Sequence, residues 1–114
     1  MTNLEIAQAF YTDMSKKNAM DLEKYLHDDI EFTAPLAQTH GKQAYLENVK
    51  RFAGFFNSLS IRTICSSDDA ATVVYDVNFA EPIGNVPTVA LINFNAGLIT
   101  RIELFYDARP FDKK

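Results

Sequence analysis

The sequence predicts an α+β fold, and three observations carry that prediction. Residues 4–56 show mostly helical periodicity, with apolar side chains three and four apart. Residues 60–106 show mostly the two-residue alternation of strands. The connections between the strand-like segments are short, which implies an antiparallel meander rather than a parallel sheet. The chain has 114 residues, 47% hydrophobic and 23% charged, which is the size and balance of one domain spanning 1–114 with one core.

The first helix opens at Thr2-Asn3-Leu4-Glu5, the pattern of a capping box. Leu4, Ala7, Phe10, Tyr11 and Met14 then share one face. A second helix is expected from Asn18, with Leu22, Tyr25 and Leu26 inward and His27-Asp28-Asp29 at its end. Ile30-Glu31-Phe32-Thr33-Ala34 alternates as a short strand and stops at Pro35. A polar loop leads to Gly41, and a third helix follows, with Tyr45, Val49, Phe52 and Phe56 as its stripe and Asn57-Ser58 as its end.

Four strands complete the chain: Ile61–Cys65, Ala71–Phe79, Val86–Phe94 and Leu98–Tyr106. Ser66 to Asp69, Pro82 to Asn85 and Asn95-Ala96-Gly97 are the turns between them. In the second long strand Tyr75 and Val77 share a face, and Val74, Asp76 and Asn78 take the other.

The order helix, helix, short strand, helix, four strands resembles the SnoaL-like branch of the nuclear transport factor 2-like (cystatin-like) superfamily. Four local stretches carry the resemblance: Tyr25 to Phe32, Pro35 closing the short strand, Gly41 to Leu46, and Asn95 to Ile102 running on to Phe105-Tyr106-Asp107. The resemblance implies a curved antiparallel sheet wrapped around helices as a cone-shaped barrel. It also implies a homodimer through the convex sheet face. The superfamily hosts isomerases, cyclases, hydrolases, dehydratases and binding domains, so fold alone assigns no reaction.

Ketosteroid isomerase, in the same superfamily, uses a carboxylate base on the short strand, a helix-one tyrosine and a neutral acid on the third long strand. Aligned on Asp28-Asp29 and Gly97, those positions fall on Ala34, Phe10 (with Tyr11 adjacent) and Ala90. Isomerase activity of that kind is therefore not expected. The same parity predicts a cone lined by Phe10, Tyr11, Met14, Phe32, Ala34, Phe52, Phe56, Tyr75, Val77, Ala90, Ile92, Ile102, Leu104 and Tyr106. Such a lining suits a small apolar ligand.

Asp107, as a general base near the cone mouth, and His40, as an acid or base at the entry to the third helix, are the candidate catalytic groups. The alternatives are a strand-end carboxylate pairing with Arg109 and a loop histidine. Asp76 and Glu103 are assigned to the convex face, and Cys65 to the core. No metal-ligand spacing, nucleophile elbow or phosphate-cradling glycine loop occurs, so no cofactor or metal is expected.

A net charge of −4 with scattered basic residues argues against nucleic acid and anionic membranes as partners. One cysteine and the lack of a signal-peptide pattern point to a cytoplasmic protein. Three functions follow in order: binding of a small apolar molecule without strong catalysis, a cofactor-independent isomerase, cyclase or hydratase, and a protein-interaction module.

Overall fold

Chain order in the computed structural model, which describes residues 1–112, is α1 (Asn3–Ser15), a 3-10 helix (Ala19–Tyr25), β1 (Leu26–Ala34), β2 (Ala37–His40), α2 (Lys42–Ala53), β3 (Phe56–Ser67), β4 (Ala70–Phe79), β5 (Asn85–Asn95), β6 (Leu98–Tyr106) and a C-terminal 3-10 helix (Arg109–Asp112). The capping box at α1 forms as expected: the Glu5 backbone N–H donates to the Thr2 hydroxyl at 3.1 Å, and the Thr2 N–H donates to Glu5 Oε1 at 2.8 Å.

The six strands form one sheet in the order β2-β1-β6-β5-β4-β3. The β3–β6 meander is antiparallel, as the short turns require. The sheet as a whole is mixed, because β1 runs parallel to β6. That pair is joined through α2 and the entire meander, and a connection that long permits a parallel return. The curved sheet does not close into a barrel; β2 and β3 are its edges.

Four features differ from the sequence expectations. The second helix is a seven-residue 3-10 segment, and Leu26 already belongs to β1, so His27-Asp28-Asp29 lies in a strand. Leu26 pairs with Ile99 of β6, which draws it into the sheet. The polar loop before Gly41 contains β2, whose residues 37–40 pair with Ala34 back to Glu31.

At the third difference, α2 ends at Ala53 with Gly54 as its cap, and Phe56 opens β3 opposite Phe79 rather than ending a helix. Asn57-Ser58 is therefore strand. Finally, Cys65 is exposed, not core. A bulge between Ile61 and Thr63 puts two consecutive residues outward, so Ile64 takes the inward place and Cys65 the outward one.

Inward side chains of the long strands pack against α1. Phe10, Ala7, Leu22, Ile30, Val73, Ala90, Ile92, Ile99 and Ile102 are fully excluded from solvent. No helix among the described residues is long and apolar enough to cross a membrane.

The β5–β6 hairpin turns through Ala96 (φ 52°) and Gly97 (φ 81°). Two successive left-handed residues match the twist of the flanking strands, but alanine is strained there. Ala96→Asn is expected to raise stability by up to about 1 kcal/mol, and Thr2→Ala to lower it by about 1 kcal/mol through loss of the cap. Urea unfolding followed by circular dichroism checks both signs.

Candidate functional site

Where α1 and α2 leave the concave sheet face uncovered, an apolar cavity of about 220 Å3 opens. Its walls come from Phe52 of α2, Tyr75, Val77 and Phe79 of β4, Val86 and Thr88 of β5, and Leu104 and Tyr106 of β6. Leu36 and Phe55, from two separate connections, and Phe111, from the C-terminal 3-10 helix, form its rim. A smaller chamber of about 50 Å3 lies behind Phe52, Tyr75 and Leu104, which border both spaces. Tyr11 and Met14 enter it from α1, Tyr45 and Val49 from α2, and Phe32 from β1.

The spacing of these residues explains how they meet. Tyr11 and Met14 are one helical turn apart, and Tyr45, Val49 and Phe52 form an i, i+4, i+7 stripe. Across the meander the register aligns Tyr75 with Thr88 and Thr88 with Tyr106. Three hydroxyl side chains thus cross an otherwise apolar wall in one row. Thr88 is buried and donates its hydroxyl to the Val86 carbonyl at 3.2 Å, which leaves lone pairs free to accept.

Three phenols surround the small chamber. The Tyr11 and Tyr75 ring centroids are 4.8 Å apart. Burial pushes the hydroxyls of Tyr11, Tyr45 and Tyr75 well above the usual tyrosine range. Neighbouring phenols add to the shift, while the hydrogen bond with Tyr75 opposes it at Tyr11. At Tyr45 no hydrogen bond offsets the burial. All three remain neutral O–H groups at any physiological pH, able to hydrogen-bond an oxygen of a guest. Tyr106, half-buried nearer the rim, is raised by burial too, with the Leu36 backbone in part opposing.

Of the residues expected in the lining, Tyr11, Met14, Phe32, Phe52, Tyr75, Val77, Leu104 and Tyr106 border one or both spaces. Phe10, Phe56, Ala90, Ile92 and Ile102 are buried in the core instead, and Ala34 packs at its edge. Phe10 and Tyr11 divide the helix-one position between them: Phe10 packs edge-on against Tyr11 and Tyr25, while Tyr11 reaches the chamber. Tyr45, Val49, Phe79, Val86 and Thr88 were missed, although each shares a stripe or strand face with a residue that was assigned. Leu36 and Phe55 sit in connections and Phe111 in a four-residue 3-10 helix, where no periodicity marks them.

The two candidate bases border neither space. His40 Nδ1 lies 3.0 Å from Glu31 Oε1 on the exposed β1–β2 edge. Asp107 is clamped by Arg109, whose Nη2 is 2.6 Å from Oδ2 and whose backbone N–H donates to Oδ1 at 3.0 Å. The side-chain hydrogen bonds from Arg109 hold the Asp107 carboxyl down at about 2. Asp76, on the outer face, is lowered by its hydrogen bonds from Arg62. Among the described residues no group of three His, Cys, Asp or Glu side chains gathers as a metal site.

The depressed Asp107 value means the clamp is intact above the ordinary carboxylate range and is lost as pH falls through about 2. An NMR titration of the Asp107 carboxyl should show the charge persisting to about pH 2. In Arg109→Ala it should return to the ordinary range near 3.9. An unchanged midpoint in the variant would remove Arg109 as the cause.

Comparison with known proteins places this architecture. The family model described as a SnoaL-like domain matches residues 7–102. An NTF2-like protein of unknown function from Cytophaga hutchinsonii superposes with a TM-score of 0.88 at 18% identity, over 99% of this chain and 96% of that one. A protein of ketosteroid isomerase-like fold from Catenulispora acidiphila, in complex with trimethylamine, gives 0.78 at 19% identity over 93% and 88%. A steroid delta-isomerase from Pseudomonas aeruginosa gives 0.78 at 15% identity over 90% and 77%. No curated protein matches the sequence.

Proposed function

The chain belongs to the SnoaL-like domain family, and from that premise we propose that it binds a small, mainly apolar molecule in the cavity between helices and sheet. The observation that carries this reading is the apolar cavity of about 220 Å3 backed by a phenol-lined chamber. Apolar walls with a few convergent hydroxyls are the usual composition of a small-molecule site. A structural neighbour solved with a molecule as small as trimethylamine is in keeping with a small occupant.

Binding is favoured over turnover because the lining among the described residues contains no carboxylate, imidazole, amine or thiol. A general base must reach the proton it removes, and a carboxylate held near pH 2 by Arg109 is a weak base besides. The phenols orient a guest oxygen without supplying that base.

A homodimer through the outer sheet face is the partner reading that the register supports. Val74, Val89 and Phe105 align across β4, β5 and β6 on that face, and Phe105 is half exposed. The ion pairs Arg62–Asp76 and Arg101–Glu103 flank this apolar row, the arrangement of an interface with a polar rim.

Two measurements test these readings. Isothermal titration with neutral ring compounds such as phenol and 2-naphthol should show saturable binding to the wild type. Leu104→Trp, which fills the wall common to both spaces, should abolish it, and a variant that keeps full affinity would place the ligand elsewhere. Sedimentation velocity should show a dimer that Val89→Arg converts to monomer. A monomeric wild type would end the dimer reading.

A further inference from the structure

The C-terminal 3-10 helix places Phe111 at the cavity rim opposite Leu36 and Phe55, the latter two each 56% exposed. The Phe111 ring meets Phe79 edge-on at 5.1 Å and Tyr106 at 5.6 Å, and both of those rings line the cavity wall. The Asp107–Arg109 clamp spans only two residues and is solvent-facing on both sides. It therefore shapes the turn that carries Phe111 without tying the turn to the sheet. The tie to the sheet is the Phe111 ring itself.

Size gives this placement a consequence. A dry apolar cavity of about 150 Å3 accepts benzene. The main cavity, at about 220 Å3, holds one substituted ring or a compact pair of fused rings within its walls and opens to solvent at its rim. The 50 Å3 chamber behind it adds room for one or two further atoms, since a water molecule claims about 30 Å3. A guest that fills both spaces puts a small oxygen substituent among Tyr11, Tyr45 and Tyr75 and its ring against Phe52 and Leu104. Phe111 then sits where any larger ring system would have to pass.

We propose that Phe111, set in place by the Asp107–Arg109 turn, is the size-determining residue of the cavity and restricts its occupant to neutral one-ring or compact two-ring compounds bearing an oxygen substituent. This rests on the binding reading above. It assigns Asp107 a positioning role at the mouth in place of proton transfer.

The test uses a graded series of phenols, namely phenol, 2-naphthol and 1-hydroxypyrene, titrated into the full chain by calorimetry. Wild type should bind the first two and exclude the four-ring compound. Phe111→Ala should raise the affinity for 1-hydroxypyrene relative to that for phenol by about tenfold or more. Phe111→Leu, which keeps an apolar side chain at the rim, should fall between.

A second measurement needs no ligand. The chain contains no tryptophan, so Phe111→Trp reports the rim alone. Its emission should be that of a partly buried indole, and adding Arg109→Ala should shift it to the red and make it more open to acrylamide quenching. Fully exposed emission in Phe111→Trp alone, or equal affinities of wild type and Phe111→Ala across the series, overturns the gate and leaves the cavity reading standing. Failure of every phenol to bind either protein overturns the cavity reading and the gate with it.

Discussion

The fold depends on a mismatch of lengths between one helix and the sheet that wraps it. α1 has 13 residues and reaches about 20 Å, whereas β4 has ten and reaches about 33 Å. A helix that short covers only part of the concave face. Over the covered part, Ile92, Ala90 and Ile102 are sealed in one core with Phe10 and Ala7. Beyond it, the same strands continue with the same inward parity, and the helical cover thins to Tyr11 against Tyr75 and Phe52 along the cavity wall. Their side chains there, Tyr75, Val77, Val86 and Thr88, line a cavity instead.

That geometry also sorts the polar chemistry. Charged side chains along the meander fall on the outer face and pair with each other, as Arg62 does with Asp76. Those at the strand ends pair locally, as Asp107 does with Arg109. What remains inside are hydroxyls, which tolerate burial when a partner or an accepting guest is at hand. Burial keeps the phenols protonated, so the interior offers orientation and hydrogen bonds without stored charge.

Much of the site was legible because alternation is a local property. Tyr75 and Val77 inward, with Asp76 outward, follow from the two-residue period alone. Tyr45 and Val49 stand on the stripe that ends at Phe52, so their place in the chamber was implied by the same rule. The rule failed at β3, where the bulge at Arg62 moved Cys65 to the surface. It failed again at Phe56, whose spacing fits a helix but whose partner is Phe79 across the sheet. In both cases a cross-strand pairing overrode a pattern that was locally self-consistent.

The sequence by itself determined the α+β class, the capping box at Thr2, the four-strand meander and which side of each central strand faces inward. These rest on neighbours within a few residues, so the chain carries them openly. Only the tertiary structure decided that β1 runs parallel to β6, that Tyr11 rather than Phe10 reaches the chamber, and that Leu36, Phe55 and Phe111 converge on one rim. Those facts depend on where α1 ends along the sheet and on how three segments distant in sequence meet in space. No periodicity within a single segment records either.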